Sequence, residues 1–440
     1  MTELPDVSQF ATSAEAAGVD IPRKRVLIIG GGFAGVAAAR ALRRAEADVT
    51  LIDRRNHHIF QPLLYQVATA TLSPAEIAAP LRQLEVKQRN LTVLLADITG
   101  ISLGERSADA ESLDGCLRKI GFDYLVIATG MQPSYFGHGE FAEHAPALKN
   151  LNDAEKIRGK ILQAFEIAET ADNDEERERQ MTFVLVGAGP TGVELAASLA
   201  QMVKTTLRDN FRRIDPAQTK IILIDGADRV LPTFSETVSR NVAHRLERLG
   251  VEIVTQSKVE AVDQGGVVAS GRRISSRTVL WTAGVAASPV VGMLGTPTDR
   301  AGRALVDPFL QVPGARGVFV VGDAASVIQD ERPVPGVAQA AIQGGRYVGE
   351  QIASRLQGKT VKRPFCYFDK GNMAVIGTNY AVLERGEVHT AGFLTWLIWV
   401  FIHILALPQL QNRMRVQRQW LWSYLTDQRS SRLIEERLSQ

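Results

Sequence analysis

Cysteine is almost missing from this chain: its 440 residues include two, Cys116 and Cys366. They are too few for a disulfide framework or a thiolate zinc cluster and too far apart for a C-x-x-C redox motif. Burial as small apolar side chains is the expected fate of such lone thiols, and a reduced, intracellular setting fits. Histidine is scarce as well, with seven in all, and His57-His58 belongs to no H-E-x-x-H or other ligand spacing. No metal is therefore expected, and the two histidines read as packing or solvent residues. Charge of one sign is not in excess, since 50 Lys+Arg stand against 48 Asp+Glu for a net +2, which argues against a general nucleic-acid binder. The opening MTELPDVSQF carries Glu3 and Asp6 and no apolar run, which speaks against an ordinary secretory signal, and residues 1–22 read as a tail.

What is present is globular composition, 45% hydrophobic and 22% charged, in a length that suggests about three domains at roughly 150 residues each. Glycine is plentiful at 37 residues, as expected where strand-to-helix turns bring backbone close to a ligand. The predicted class is α/β. An apolar run, Val26 to Ile29, enters GGGFAG and the Ala-rich helix-former FAGVAAARALRRA, and VTLID follows as a second strand. The pattern recurs where FVLVG, Phe183 to Gly187, leads into AGPTGVELAASLAQM and later IILID, Ile221 to Asp225. Two Rossmann-like dinucleotide-binding units result. Between them lie a buried strand in FDYLVIATG (122–130), a helix from about Asp153 to Ala171, and the charged stretch DNDEERER, read as a solvated linker. VLWTAG (279–284) echoes the earlier VIATG, and GVFVVGDAA (317–325) supplies another buried strand.

The glycine loops carry the first chemistry. Gly30-Gly31-Gly32-Phe33-Ala34-Gly35 satisfies G-x-G-x-x-G directly after a strand and at the start of a helix, where a helix N-terminus holds a pyrophosphate. Asp53 ends the next strand, in position for ribose hydroxyls. Gly187-Ala188-Gly189-Pro190-Thr191-Gly192 repeats the signature, but Asp225 stands further downstream than the roughly 20 residues usual. A longer helix or the added loop DNFRRIDPAQTK must intervene. An acid at that strand end repels a 2′-phosphate and favours NADH; Arg229 close by weakens the inference, unless it serves a structural ion pair. Asp323 follows an all-apolar strand where clefts of such sheets open, with helix capping as its alternative. On the helix VAQAAIQGGRYVGEQIASRL, Gln339 and Gln343 share one face at i and i+4, as surface glutamines or as paired amides for a carbonyl ligand. Glu194, just inside the second fingerprint's helix, serves either as dipole compensation or as a proton-transfer acid.

Taken with NHHIFQPLLYQVATATL (56–72), GAGPTGVELA, AQAAIQGG (338–345), FDKGNMAVIG (368–377) and the Trp-rich tail, these motifs resemble the two-dinucleotide flavoprotein disulfide reductase fold. Within it they resemble the type II NADH:quinone oxidoreductases, from Arg25 to Thr426. The resemblance implies non-covalent FAD at Gly30, Gly32, Gly35 and Asp53, with Asp323 on the ribityl chain and Pro62 and Leu63 near the flavin ring. It places NADH, the substrate, at Gly187, Gly189, Gly192 and Asp225. Phe33, Ala34, Arg54, Ala128, Thr129, Gly130, Pro190, Thr191, Gly284, Gly322, Ala338 and Gln339 are counted with these cofactor sites. It puts quinone at Gln339 and Gln343, and makes Glu194 an acid near flavin and quinone, with Lys370 as its candidate ion-pair partner. The implied layout is a tail (1–22), an FAD domain in two parts (23–150 and 298–365), an NADH domain inserted between them (151–297), and a C-terminal quinone- and membrane-associating region (366–440). Other FAD-dependent NAD(P)H oxidoreductases, sulfide:quinone oxidoreductases and non-catalytic FAD/NADH-binding redox sensors of the same fold stay open as alternatives.

The C-terminus differs in kind. Residues 393–407, FLTWLIWVFIHILAL, would make a helix of about 22 Å at 1.5 Å per residue before Pro408, short for a bilayer core of about 30 Å. Four of the five tryptophans fall between 396 and 422. The next segment sets Met414, Gln417, Leu421 and Tyr424 on one side and Arg415, Arg418 and Trp422 nearer another, as in an amphipathic helix lying in the headgroup plane. An internal or dimer-packing helix pair is the alternative. The expectation is a homodimer held peripherally on the cytoplasmic face of the inner or plasma membrane, with no route for pumping protons.

Overall fold

The computed structural model describes residues 23–360 and 362–434. The expected tail, 1–22, lies outside the described residues.

Two parallel sheets organise the chain. The first runs, in spatial order, Val318–Val320, Tyr124–Ile127, Lys24–Ile29, Ala47–Asp53, Leu91–Ser102, Ser107–Ser112 and Leu117–Gly121, its first five strands parallel and its last two an antiparallel meander. Val26 to Ile29 form a near-continuous apolar run because both faces of a parallel sheet are covered. Val26 and Ile28 enter one core layer and Leu27 and Ile29 the other. The chain leaves Lys24–Ile29 for one neighbour, Ala47–Asp53, and later returns to the other, Tyr124–Ile127, which makes a switch point with its crevice at the strands' carboxyl ends. Val318–Val320 completes this sheet after every strand of the second, whose order is Val251–Val254, Lys220–Ile224, Thr182–Val186 and Thr278–Trp281, all parallel.

The helix Ala338–Leu356 lies on the first fingerprint's helix, Phe33–Ala41. A Cβ on Gly345 would stand 2.0 Å from the Ala34 carbonyl oxygen, so glycine sets how closely these helices approach. The helix expected near Asp153 is Leu151–Thr170, capped by Asn150, whose side-chain oxygen accepts the Asp153 N–H at 3.1 Å. Two expectations are corrected here. DNDEERER is not a linker: Asn173 caps a helix, Asp174–Gln180, whose acidic first turn suits the helix dipole, and Glu176 grips Arg277 through two bonds of 3.0 and 2.9 Å. The cysteines are not buried: Cys116 sits in the exposed turn before the outermost strand of the first sheet, and Cys366 is exposed too.

The extended second unit has a plain cause. Its helix Pro190–Gln201 continues through a wider π-type segment, Met202–Thr206, before a loop leads to Lys220–Ile224, so both a longer helix and an added loop separate Gly192 from Asp225. At the C-terminus, the antiparallel strands Asn372–Val375, Ala381–Arg385 and Val388–Gly392 feed two helices, Phe393–Ala406 and Leu410–Thr426. Among the described residues no helix is long and apolar enough to cross a membrane. Trp399, Leu407 and Val416 are buried in the same core as Leu195 and Leu199, and the amide of Asn412 reaches the carbonyls of Ala75, Glu76 and Ala78 at 2.9 to 3.1 Å. The helix pair is therefore built into the body of the protein along one side.

Candidate active site

The two glycine loops are near copies. Gly30 takes φ +109° and donates to Ile52 O at 2.8 Å; Gly187 takes φ +107° and donates to Ile224 O at 2.7 Å. A Cβ on Gly35 would lie 1.8 Å from Gly30 O, and one on Gly192 1.8 Å from Gly187 O. In each loop the strand-end carboxylate turns back on the turn: Asp53 accepts the N–H of Gly31 at 2.6 Å and of Arg55 at 2.7 Å, and Asp225 accepts those of Ala188 at 2.5 Å and Ala227 at 2.7 Å. Each acid thus fixes its own loop. Arg229 lies 3.5 Å from Asp228 and donates to Pro232 O at 3.3 Å, the structural role open to it.

Around the first loop several groups are poised for a ligand. Thr129 Oγ1 is buried with no partner among the described residues, between Ala128 under the loop and Gly130, and Asp323 is recessed in the turn Gly322–Ala324. Desolvation raises the Asp323 carboxyl above its usual range, against the pull of Lys149 and Arg303. Asp323 lies inside that turn, and the N-cap of the next helix, Ala338–Leu356, is Val337, so Asp323 caps neither. Leu63 is fully buried in the turn Gln61–Leu63, with Pro62 beside it, whereas Arg54 is exposed. His58, read from sequence as packing, is part of this loop's support: its Nδ1 lies 3.1 Å from Gly31 O and its ring meets Phe33 edge-on at 5.0 Å. Burial lowers its pKa, so the neutral ring donates through Nδ1. The glycine cradle, the orphaned hydroxyl and the two carboxylates fit an FAD.

A cavity of about 580 Å³ is lined by Tyr65, Gln66, Glu194, Ser198, Arg245, Arg429 and, from the C-terminal helices, Trp396, Trp399 and Trp420. Glu194 is half-buried there, and desolvation raises it to about 8 despite the Val375 N–H it accepts at 3.3 Å. A carboxyl raised that far holds its proton at neutral pH. The Lys370 partnership is not formed: Lys370 is exposed, and its main-chain N–H donates to Gln339 Oε1 at 3.1 Å. Gln339 and Gln343 do share a face, but they do not line this cavity. Gln339 Nε2 donates to Gly371 O at 3.0 Å, and Gln343 both donates to Phe368 O and accepts from Phe368 N at 2.9 Å. Their amides clip the main chain of FDKG to the helix. Sequence reasoning gave no role to Tyr65, Gln66 or Arg429; the first two lie inside a quoted motif, and nothing local marks the third.

Glu194 yields a stability prediction. Its folded pKa lies above the unfolded one, so the fold holds a proton that the unfolded chain releases, and stability falls as pH rises from about 4.5 to about 8. Glu194→Gln should match wild type near pH 4.5 and exceed it at pH 8, by a difference on the order of a few kcal/mol. Calorimetric Tm values that run parallel across this range would contradict the burial argument.

Two parallel sheets, each leading into a glycine loop held by the acid at the next strand end, define a pyridine-nucleotide oxidoreductase, and the family model described as pyridine nucleotide-disulphide oxidoreductase matches residues 24–345. Two relatives from Mycobacterium tuberculosis, type II NADH:quinone oxidoreductases Ndh and NdhA, are 43% identical over 425 residues and 42% over 429. The matches cover 94% of this chain in both cases, and 91% and 90% of theirs. The solved structure of NDH2 from Plasmodium falciparum in complex with NADH shares the fold, with a TM-score of 0.85 at 20% identity over 94% of this chain and 100% of that one. The sulfide:quinone oxidoreductase of Aquifex aeolicus aligns with a TM-score of 0.70 at 18% identity, covering 91% of each chain. The chain belongs to the pyridine nucleotide-disulphide oxidoreductase family and, within it, to the type II NADH:quinone oxidoreductases.

Proposed function

We infer that this protein oxidises NADH and reduces a membrane quinone to quinol without pumping protons. FAD, when bound, would supply the redox chemistry that links a hydride donor to a two-electron acceptor. The chain's own residues bind and align the reactants. The first glycine loop, Asp53 and Asp323 would hold the flavin dinucleotide, and Pro62 and Leu63 would flank it. The second loop and Asp225 hold NADH, in a domain inserted between the two parts of the FAD domain. The observation that carries the acceptor side is the Glu194 cavity, whose walls come from the second fingerprint's helix and from the C-terminal helices. We place the quinone headgroup there, with Gln339 and Gln343 shaping the neighbouring FDKG loop. Exposed cysteines at separate surface positions favour this reading over a sulfide-oxidising one, which needs a thiol step. The helix pair docks the protein on the cytoplasmic face of the membrane, and a homodimer and the absence of a metal complete the reading. Among the described residues no group of three or more His, Cys, Asp or Glu is placed to hold a metal ion.

The deciding experiment is anaerobic. NADH should bleach the flavin, and a short-chain quinone should restore its colour; a flavin that NADH reduces but quinone leaves reduced would overturn the assignment. Nucleotide choice gives a further expected result. Asp225→Ser removes the repulsion of a 2′-phosphate and should shift the NADPH/NADH ratio of kcat/KM upward about tenfold, for a change of about 1.4 kcal/mol in relative binding. Equal wild-type use of both nucleotides would show that Asp225 only fixes its loop.

A further inference from the structure

The cavity beneath the C-terminal helices holds a second oxygen acid that the reading above leaves unused. Tyr65, two residues beyond Leu63, is 6% exposed in the short helix Leu64–Ala68. Its hydroxyl is oriented by hydrogen bonds that run one way only. The indole N–H of Trp420 can only donate, and it donates to Gln66 Oε1 at 2.7 Å. The amide must then turn its NH2 group the other way, and Gln66 Nε2 donates to Tyr65 Oη at 2.9 Å. The phenol oxygen accepts, so its own proton is left for the cavity.

The charges around this hydroxyl come from three elements. Burial is the main cause that raises the Tyr65 pKa; Glu194 on the helix Pro190–Gln201 adds to it once ionised, and the Gln66 bond and Arg429 on the C-terminal segment lower it. Arg429 is held by Thr69 O at 2.7 Å and Ser198 O at 2.9 Å, and Ser198 stands one helical turn from Glu194. Arg245 and Asp427 are the other charged groups lining the cavity. Burial holds Tyr65 well above the ordinary phenol range, so it keeps its proton against water and yields it to a strongly basic oxygen.

We propose that Tyr65 is the proton donor to the reduced quinone and that Glu194 reloads it. The proposal rests on the placement of the acceptor in this cavity. The electron pair comes from NADH. The Tyr65 Oη–H bond breaks as an O–H bond forms on the quinone oxygen, and Arg429 steadies the phenolate. The Glu194 carboxyl then returns a proton to that phenolate and is itself reprotonated by water in the cavity. The net reaction takes up one solvent proton per NADH, and the other quinol proton originates in the hydride.

The test is Tyr65→Phe in the full, FAD-loaded chain, which keeps the ring and removes the proton. Flavin reduction by NADH should be unchanged, and so should reoxidation by ferricyanide, which takes electrons without protons. Reoxidation by a short-chain quinone should slow about a hundredfold, within the range of general-acid contributions, and the wild type's solvent deuterium effect on that step should vanish. Trp420→Phe, which frees the Gln66 amide to turn, should slow the same step by a smaller factor and serves if Tyr65→Phe does not load flavin. Quenching of cavity tryptophan fluorescence by the quinone checks the placement separately. No quenching alongside normal turnover overturns the placement and the relay with it. Quenching together with wild-type quinone reoxidation in Tyr65→Phe overturns the relay alone.

Discussion

Gly35→Ala should yield a protein without flavin, whereas Gly192→Ala should yield a yellow protein that NADH no longer bleaches. The added methyl would sit 1.8 Å from a backbone carbonyl oxygen in either loop, far inside van der Waals contact and against atoms that cannot rotate away. The helix must therefore part from its strand, at the point where the helix N-terminus meets pyrophosphate. The same geometric insult has two outcomes because the loops serve different nucleotides. In the first sheet it also disturbs the packing of Ala34 against Gly345, so loss of FAD should be accompanied by a lower Tm. The measurements are visible flavin absorbance after purification and bleaching by anaerobic NADH. Flavin retained by Gly35→Ala at wild-type stoichiometry, or normal bleaching of Gly192→Ala, would reverse the assignment of the two loops.

The glycine loops were legible because their requirements are local: a strand, a turn with no room for Cβ, a helix and an acid at the next strand end must occur in order along the chain. The apolar runs of the parallel strands were legible for a related reason, since burial on both faces leaves no alternation to confuse with a helix. What failed was long-range. The run DNDEERER is largely exposed, as its charges suggest, but it is a capped helix whose glutamates are tied to the distant Arg277 and Lys220. Gln339 and Gln343 were placed on one face correctly, yet their partners are main-chain groups of 368–371, which carry no side-chain signal. Glu194 was recognised, but its raised pKa depends on burial supplied by three separate segments. Arg429 falls after the last helix, where sequence gives no reason to expect a buried cation.

The C-terminal helices divide cleanly into two faces, and this division sets the largest expected effect on membrane binding. Leu394, Leu397, Ile398, Phe401, Ile402 and Leu405 are 43–74% exposed, at spacings of three and four that draw one apolar stripe down the helix Phe393–Ala406. Leu410, Met414, Leu421, Trp422 and Leu425 extend the exposed apolar surface onto the next helix, where Arg415 and Arg418 are also at the surface. Thr395 and Trp399 face inward instead, each at most 3% exposed, so removing the helices would open the core, and point changes on the outer stripe are the sounder test. Burying an apolar side chain in the headgroup and acyl boundary is worth about 1.5–3 kcal/mol. Leu397→Asp with Phe401→Asp should then lower partition to anionic vesicles by about a hundredfold or more, at about 1.4 kcal/mol for each tenfold. Flavin content and ferricyanide reduction should survive, turnover with a long-chain quinone in vesicles should collapse, and a short-chain quinone should remain a substrate. Raising the salt concentration should weaken wild-type binding partway, because arginine attraction to anionic lipid is screened and apolar burial is not. Light scattering on the same variant separates membrane docking from dimer packing. If the double variant falls to half the wild-type mass while still sedimenting with vesicles, the stripe is a subunit contact and the membrane is met elsewhere.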